Sequence, residues 1–186
     1  MSPDRDRDRD PGGRPRNARP RDALGRPLAG AGDGAGLGAG SGEDRIPDDL
    51  LLAGPDAARL ADELLRAGRP FHAHEVLEAS WKTGPAGERD LWQGLAQIAV
   101  GLTHAHRGNA HGAVALLTRG VQRVRGYQAA SPAASPAASL IGDRPYGIDL
   151  AAFLTAADDL AARIDRDGLA GIPAADLRPG LTVSGG

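Results

Sequence analysis

Five stretches of the chain repeat apolar residues every three or four positions, the spacing of a helix with one buried side. Gly, Pro and Asn residues separate these stretches. The pattern predicts helices A to E over 55–67, 70–82, 86–107, 110–127 and 150–167, with helix C starting at 86 or 87. No stretch alternates apolar and polar residues convincingly, so no sheet is expected. The fold prediction is a single all-α bundle of about five helices.

Residues suited to helix ends support these boundaries. Gly68 follows helix A, and Gly108 lies between helices C and D, where the residue after a helix favours glycine. Asn109 can accept a hydrogen bond from the first turn of helix D, and Asp149 can do the same for helix E. The connections are therefore short, and neighbouring helices are expected to run antiparallel.

Three regions depart from the helical pattern. Residues 1–45 combine an Asp-Arg run, a Pro-Arg run and a Gly-Ala run, and they bury too little apolar surface to offset the entropy of ordering. They are predicted to be a disordered N-terminal arm. The helical domain is predicted over 46–172, with a flexible Ala/Ser/Pro linker inside it at 129–145. Residues 173–186 are predicted to form an irregular tail.

Helix B has two sides that both favour burial. On a helical wheel Phe71, His74, Glu78 and Trp81 fall within about 80° of one another, and aliphatic residues occupy the opposite side. A solvated face would not normally carry Phe and Trp. An ordinary core would not carry an unpaired His and Glu. This side of helix B is therefore a candidate site.

Helix C carries a second polar stripe. Gln93, Gln97 and His104 fall within about 60° on its wheel. Gly94 and Gly101 lie beside the stripe, and each costs about 1 kcal/mol relative to Ala inside a helix. Close approach of a neighbouring helix would explain both glycines. Because helices B and C are joined by a short connection, their polar stripes are predicted to face each other.

Two interpretations of these stripes remain open. The first is a metal or acid/base pocket, in which His74, Glu78 and His104 bind a divalent metal and Glu75 or Glu78 activates a metal-bound water. The spacing reads His-Glu-x-x-Glu and not His-Glu-x-x-His, so the motif is weak. The second is a buried polar network in which every group has a hydrogen bond. In either case the predicted pocket is lined by Phe71, Trp81, Gln93 and Gln97.

One further pair of residues suggests ligand chemistry. Arg119 and Arg123 lie one turn apart on helix D and could bind an anion, and a solvated face explains them equally simply. No Gly-rich loop follows a strand, so no residue is assigned to a nucleotide or another organic cofactor.

Composition narrows the class of protein. The chain has no cysteine, which excludes disulfides and zinc–thiolate sites. Its net charge of -2 lacks the basic excess of nucleic-acid binders. No 18-residue apolar run and no apolar signal core occur, so neither a membrane span nor secretion is expected. These features predict a cytoplasmic protein that binds neither nucleic acid nor membrane.

Three segments resemble a known family. AHEVLEASW, ERDLWQGLAQIAVGLTHAHRGN and YGIDL are similar to the small bacterial and archaeal proteins called domain of unknown function 309. The resemblance covers about Leu60 to Ile164. It implies an all-α bundle of about five helices and does not imply an activity. Some members carry the label "predicted metal-dependent hydrolase", which fits the positions of His74, Glu75, Glu78 and His104.

The function predicted first is a binding or interaction module with a buried His/Glu/Gln pocket. The alternative is a metal-dependent hydrolase with its site between helices B and C. A third hypothesis is a scaffold for homo-oligomers, in which the aromatic stripe of helix B buries a partner helix. The sequence is compatible with either a small-molecule ligand or a protein partner.

Overall fold

The structure, a computed structural model, describes Leu52 and residues 54–130 and 144–181. Within these ranges the chain forms five α-helices and no β-strand, which confirms the all-α prediction. The helices are α1 (Gly54–Arg66), α2 (Pro70–Thr83), α3 (Arg89–His106), α4 (Ala110–Ala130) and α5 (Leu150–Asp167). The predicted disordered arm, 1–45, and most of the predicted linker lie outside the described residues.

Helices C and D each differ from their predicted boundaries by more than one residue at one end. A separate 3-10 turn, Ala86–Glu88, comes before α3, because Pro85 enters it in an extended conformation and the chain bends there. Helix α4 continues to Ala130, past the predicted end at residue 127. Tyr127 is buried, so the helix is still packed at that point, and residues 128–130 extend it on the exposed side.

The predicted helix caps are confirmed. The Asp149 carboxylate accepts a hydrogen bond from the Ala152 N–H at 3.0 Å, and the Asn109 side chain accepts one from the Gly112 N–H at 2.9 Å. Gly108 has a φ of 78°, the left-handed conformation that the turn between α3 and α4 requires.

Helix α3 lies at the centre, packed against α2 on one side and α4 on the other. Helix α1 packs against α2, and α5 packs against α4. A Cβ atom placed on Gly94 would lie 3.0 Å from the Gly120 carbonyl oxygen of α4, and one on Gly101 would lie 2.9 Å from the Leu117 nitrogen. The predicted close approach is therefore confirmed, and α4 is the helix that makes it.

The end of the described chain packs onto the bundle. Ala174–Leu177 forms a 3-10 turn, and Leu181 is buried. The Leu181 N–H donates to Asp62 on α1 at 2.6 Å, and its carbonyl accepts from the Asp149 N–H at 3.1 Å. These bonds attach the segment after α5 to the start of the domain. Among the described helices, none combines the length and apolar character needed to span a membrane.

Candidate functional site

Helix α2 has the two-sided character that the sequence predicts. Its core side is buried and consists of His72, Ala73, Val76, Leu77 and Ser80. Phe71, His74, Glu78 and Trp81 lie on the other side and are half-buried. We call these four residues the α2 face. The Phe71 ring lies beside the His74 ring, with 6.4 Å between the ring centroids.

His74 and Glu78 form a pair one turn apart. The His74 Nε2 atom lies 3.5 Å from one carboxylate oxygen of Glu78, and the Lys82 ammonium lies 3.0 Å from the other. The His74 Nδ1 atom is buried and has no hydrogen bond of ordinary geometry within the described part of the chain, although the Ala96 backbone lies close enough to act on the ring. Both carboxylate oxygens of Glu78 therefore have a partner, whereas only one ring nitrogen of His74, Nε2, is paired.

Burial is the main influence on the protonation of His74. It lowers the pKa of the imidazole below its ordinary value of 6.5, and the Lys82 ammonium lowers it further. The Glu78 carboxylate and the backbone of Ala96 act in the opposite direction. The ring is consequently neutral at pH 7 and carries one N–H donor and one acceptor nitrogen.

The two glutamines of α3 are directed toward α4. The Arg123 side chain of α4 donates to the Gln93 carbonyl oxygen and to the Asp90 carboxylate, the latter at 3.1 Å. Gln97 lines a groove formed by α3 and α4, and its buried Oε1 atom has no hydrogen-bond partner among the described residues.

The prediction that the stripes of helices B and C face each other is therefore wrong for Gln93 and Gln97. Neither glutamine bonds to His74 or Glu78 within the described residues. The physical reason is that Gly94, beside the stripe, brings α4 close to α3. The predicted pocket separates into the α2 face and an α3–α4 groove.

His104 belongs to the turn between α3 and α4. Its Nδ1 atom accepts a hydrogen bond from the Asn109 amide at 2.8 Å, and Asn109 also caps α4. In residues 54–130 and 144–181 no group of three or more His, Asp or Glu side chains is placed to hold a metal ion. His104 therefore does not join His74 and Glu78 as a third ligand in this arrangement.

Glu75 lies half-buried on α2, directly after His74. Side chains one residue apart on a helix point in different directions. Glu75 is one residue from His74 and three from Glu78, so it is a neighbour of Glu78 on the helix surface, and its role as a general base stays a prediction.

A second polar cluster was missed from the sequence. Glu88 is 4% exposed and accepts hydrogen bonds from the Tyr146 hydroxyl at 2.6 Å and from the Trp92 indole N–H at 3.2 Å. The Tyr146 and Trp92 rings pack with centroids 5.3 Å apart. Burial and the Glu88 carboxylate raise the pKa of Tyr146, so its hydroxyl keeps its proton. The four-residue spacing of Glu88 and Trp92 was the available signal, because it places both on one side of a helix.

Comparison with known proteins finds a family that resembles the part of the chain holding most of these residues. Residues 59–116 match the family model described as domain of unknown function (DUF309). This segment is similar to the DUF309 family. It covers about a third of the chain and contains the α2 face, both glutamines and His104, whereas Tyr146 lies outside it. The predicted resemblance is confirmed over this segment.

A curated relative matches a similar length of chain. The uncharacterized protein YpuF of Bacillus subtilis (strain 168) is 40% identical over 53 residues, which are 28% of this chain and 30% of that protein. The match thus spans less than a third of the relative. No solved structure matches the chain.

Proposed function

We propose that the chain is a binding module that engages a partner molecule through the α2 face. The observation that supports the proposal is the His74 Nδ1 atom, which is buried and has no hydrogen bond of ordinary geometry among the described residues. A buried polar atom left unsatisfied costs about 1–3 kcal/mol. Buried Asp62, Glu88 and Thr103 all have hydrogen bonds, whereas the Gln97 Oε1 atom shares the condition of His74 Nδ1.

The aromatic residues of the face point to the same role. The chain has two Phe and two Trp, and Phe71 and Trp81 are half-buried on this one helix side. Partly exposed aromatic rings are enriched where proteins bind partners, because they bury a large apolar area with few rotatable bonds. The His74–Glu78 pair between them would supply polar selectivity.

The test uses the full chain immobilised as bait for an extract of the source cells. Phe71→Ser and Glu78→Gln are compared with Leu60→Ser, which changes a half-buried apolar residue on α1. We expect a partner that wild type and Leu60→Ser retain and that both α2-face variants lose. Equal retention by all four baits, or none above bare resin, would count against the proposal.

Light scattering on the same proteins tests whether the partner is a second copy of this chain. A mass above the monomer for wild type and Leu60→Ser, and a monomer mass for Phe71→Ser, would identify self-association. A monomer mass for all of them would leave a different molecule as the partner.

The second candidate is a metal-dependent hydrolase, and two observations favour it. The His74 Nε2 atom and a Glu78 oxygen lie 3.5 Å apart, so one divalent ion could be shared between them. The backbone of Ala96 acts on the His74 ring, and a backbone group beside a metal-binding histidine commonly orients it. Lys82 opposes this function, because its ammonium already neutralises Glu78.

Metal content of the tag-free protein separates the two candidates. The wild type is compared with a His74→Ala, Glu78→Ala double variant and with a matched His111→Ala, Glu63→Ala control at exposed positions. The hydrolase candidate predicts near-stoichiometric metal in wild type and control and its loss in the first variant. Metal content that does not depend on His74 and Glu78 would eliminate it.

A further inference from the structure

The groove between α3 and α4 has the charge pattern of an anion site. Its volume is about 530 Å³, and it is lined by Asp90, Gln97, Arg119, Gln122, Arg123 and Gly126. Two guanidinium groups thus face one carboxylate, which leaves the groove with an excess of positive charge. None of its lining residues lies on α2, so the groove shares no residue with the α2 face.

The two arginines differ in how they are engaged. Arg123 is held by Asp90 and Gln93, which fix the guanidinium against α3. Arg119, one turn earlier on α4, is exposed and makes no hydrogen bond or ion pair within the part of the chain that the structure describes. Two guanidinium groups one turn apart, one fixed and one available, can close on opposite sides of the same oxyanion.

We infer that the α3–α4 groove binds a small oxyanion, a carboxylate or a phosphate, that carries a hydrogen-bond donor next to its charge. Arg119 supplies the main contact with the oxyanion, and Arg123 supplies a second from its fixed position. The site goes beyond the partner proposed for the α2 face and shares no residue with it.

Gln97 explains why the ligand needs a donor. Its Oε1 atom is buried without a partner among the described residues, although the side chain lines the groove. Rotation about the last torsion of a glutamine is easy, because that torsion has a broad energy profile. A hydroxyl or amino group beside the oxyanion can therefore meet this oxygen and satisfy it.

The test is a titration of the ¹⁵N-labelled full chain, followed by amide chemical shifts at constant ionic strength. The probes are inorganic phosphate, acetate and glycolate, with sodium chloride as the reference salt. We expect saturable shifts at Gln97, Arg119 and Gln122. Loss of a charge-assisted contact should weaken binding about ten-fold in Arg119→Gln.

Arg125→Gln is the matched control, since it removes the same charge from the same helix at a residue that instead pairs with Asp158. Saturation by phosphate alone would identify a phosphorylated ligand, and saturation by the carboxylates alone a carboxylic acid. No saturable shift with any probe, or equal weakening in Arg119→Gln and Arg125→Gln, would overturn the site.

Acetate and glycolate differ by one hydroxyl group, so they test the role of Gln97. Glycolate should bind more tightly than acetate to the wild type, and Gln97→Met should abolish the difference. Equal binding of the two acids to the wild type would overturn the assignment of a donor to the ligand.

Discussion

Two glutamates near the α2–α3 connection have opposite environments. Glu88 is 4% exposed and accepts hydrogen bonds from Tyr146 and Trp92. The Glu78 side chain is 36% exposed and lies between the His74 ring and the Lys82 ammonium. The first carboxylate is buried and accepts from two neutral donors, whereas the second is partly exposed and lies beside a cation.

The difference separates a structural role from a binding role. A buried polar network adds to stability when every member has a partner. Glu88 meets that condition, and it connects the turn before α3 to the 3-10 turn at Pro145–Gly147. His74 does not, because its Nδ1 atom has no hydrogen bond of ordinary geometry among the described residues. The α2 face therefore fits the proposed binding role, and its Trp81 ring also packs against the core.

The largest expected effect comes from removing each carboxylate in turn. Glu88→Ala leaves the buried Trp92 indole N–H and the half-buried Tyr146 hydroxyl without their acceptor and should lower the free energy of unfolding by about 3 kcal/mol. Glu78→Ala removes a partly exposed pair and should change it by no more than about 0.5 kcal/mol. Urea unfolding followed by tryptophan fluorescence measures both, and similar losses in the two variants would remove the distinction.

The next effect isolates one hydrogen bond of the Glu88 cluster. Tyr146→Phe keeps the ring against Trp92 and deletes the hydroxyl, so it should cost about 1.5–2 kcal/mol. In the Glu88→Ala background the same change should cost clearly less, because the acceptor is already absent. Equal costs in the two backgrounds would mean that the hydroxyl and the carboxylate are not coupled.

Local patterns predicted the helices and their ends, because apolar spacing and capping residues act within a few positions along the chain. Asp149 and Asn109 cap the helices for which they were predicted. The glycines of α3 predicted a close helix, and α4 is that helix. The two-sided character of α2 was likewise visible, because burial follows the helical wheel.

Helical wheels did not predict which neighbouring helix each polar side chain contacts. A wheel gives direction around one helix and leaves open which neighbour lies there, so Gln93 and Gln97 were assigned to α2 instead of α4. The Glu88–Tyr146 bond joins residues 58 positions apart. No local pattern encodes such a contact, although the spacing of Glu88 and Trp92 indicated half of the cluster.

The pH dependence of stability tests the burial of His74. Its pKa is lowered in the folded chain, so the unfolded chain takes up the proton first as the pH falls through 6.5. This contribution to stability is present above that value and is lost as the pH falls toward the folded pKa. Urea midpoints between about pH 8 and pH 5 should fall more in wild type and in His111→Gln, an exposed control, than in His74→Gln. Identical profiles for all three proteins would show that His74 is not desolvated.

The smallest effect compares the two glutamines of α3. Gln97→Leu replaces an unsatisfied amide with an apolar side chain of similar size and should raise the free energy of unfolding by about 0.5 kcal/mol. Gln93→Leu removes the acceptor of Arg123 and should lower it by about 1 kcal/mol. The two variants make the same substitution four residues apart on one helix. Changes of opposite sign in the free energy of unfolding would show that the effect depends on whether the amide has a hydrogen bond, and not on its polarity alone. A loss in both variants would mean that Gln97 has a partner in solution, such as a bound water. The stabilised Gln97→Leu protein should also bind glycolate no better than acetate, which would connect the stability cost of this residue to a role in the groove.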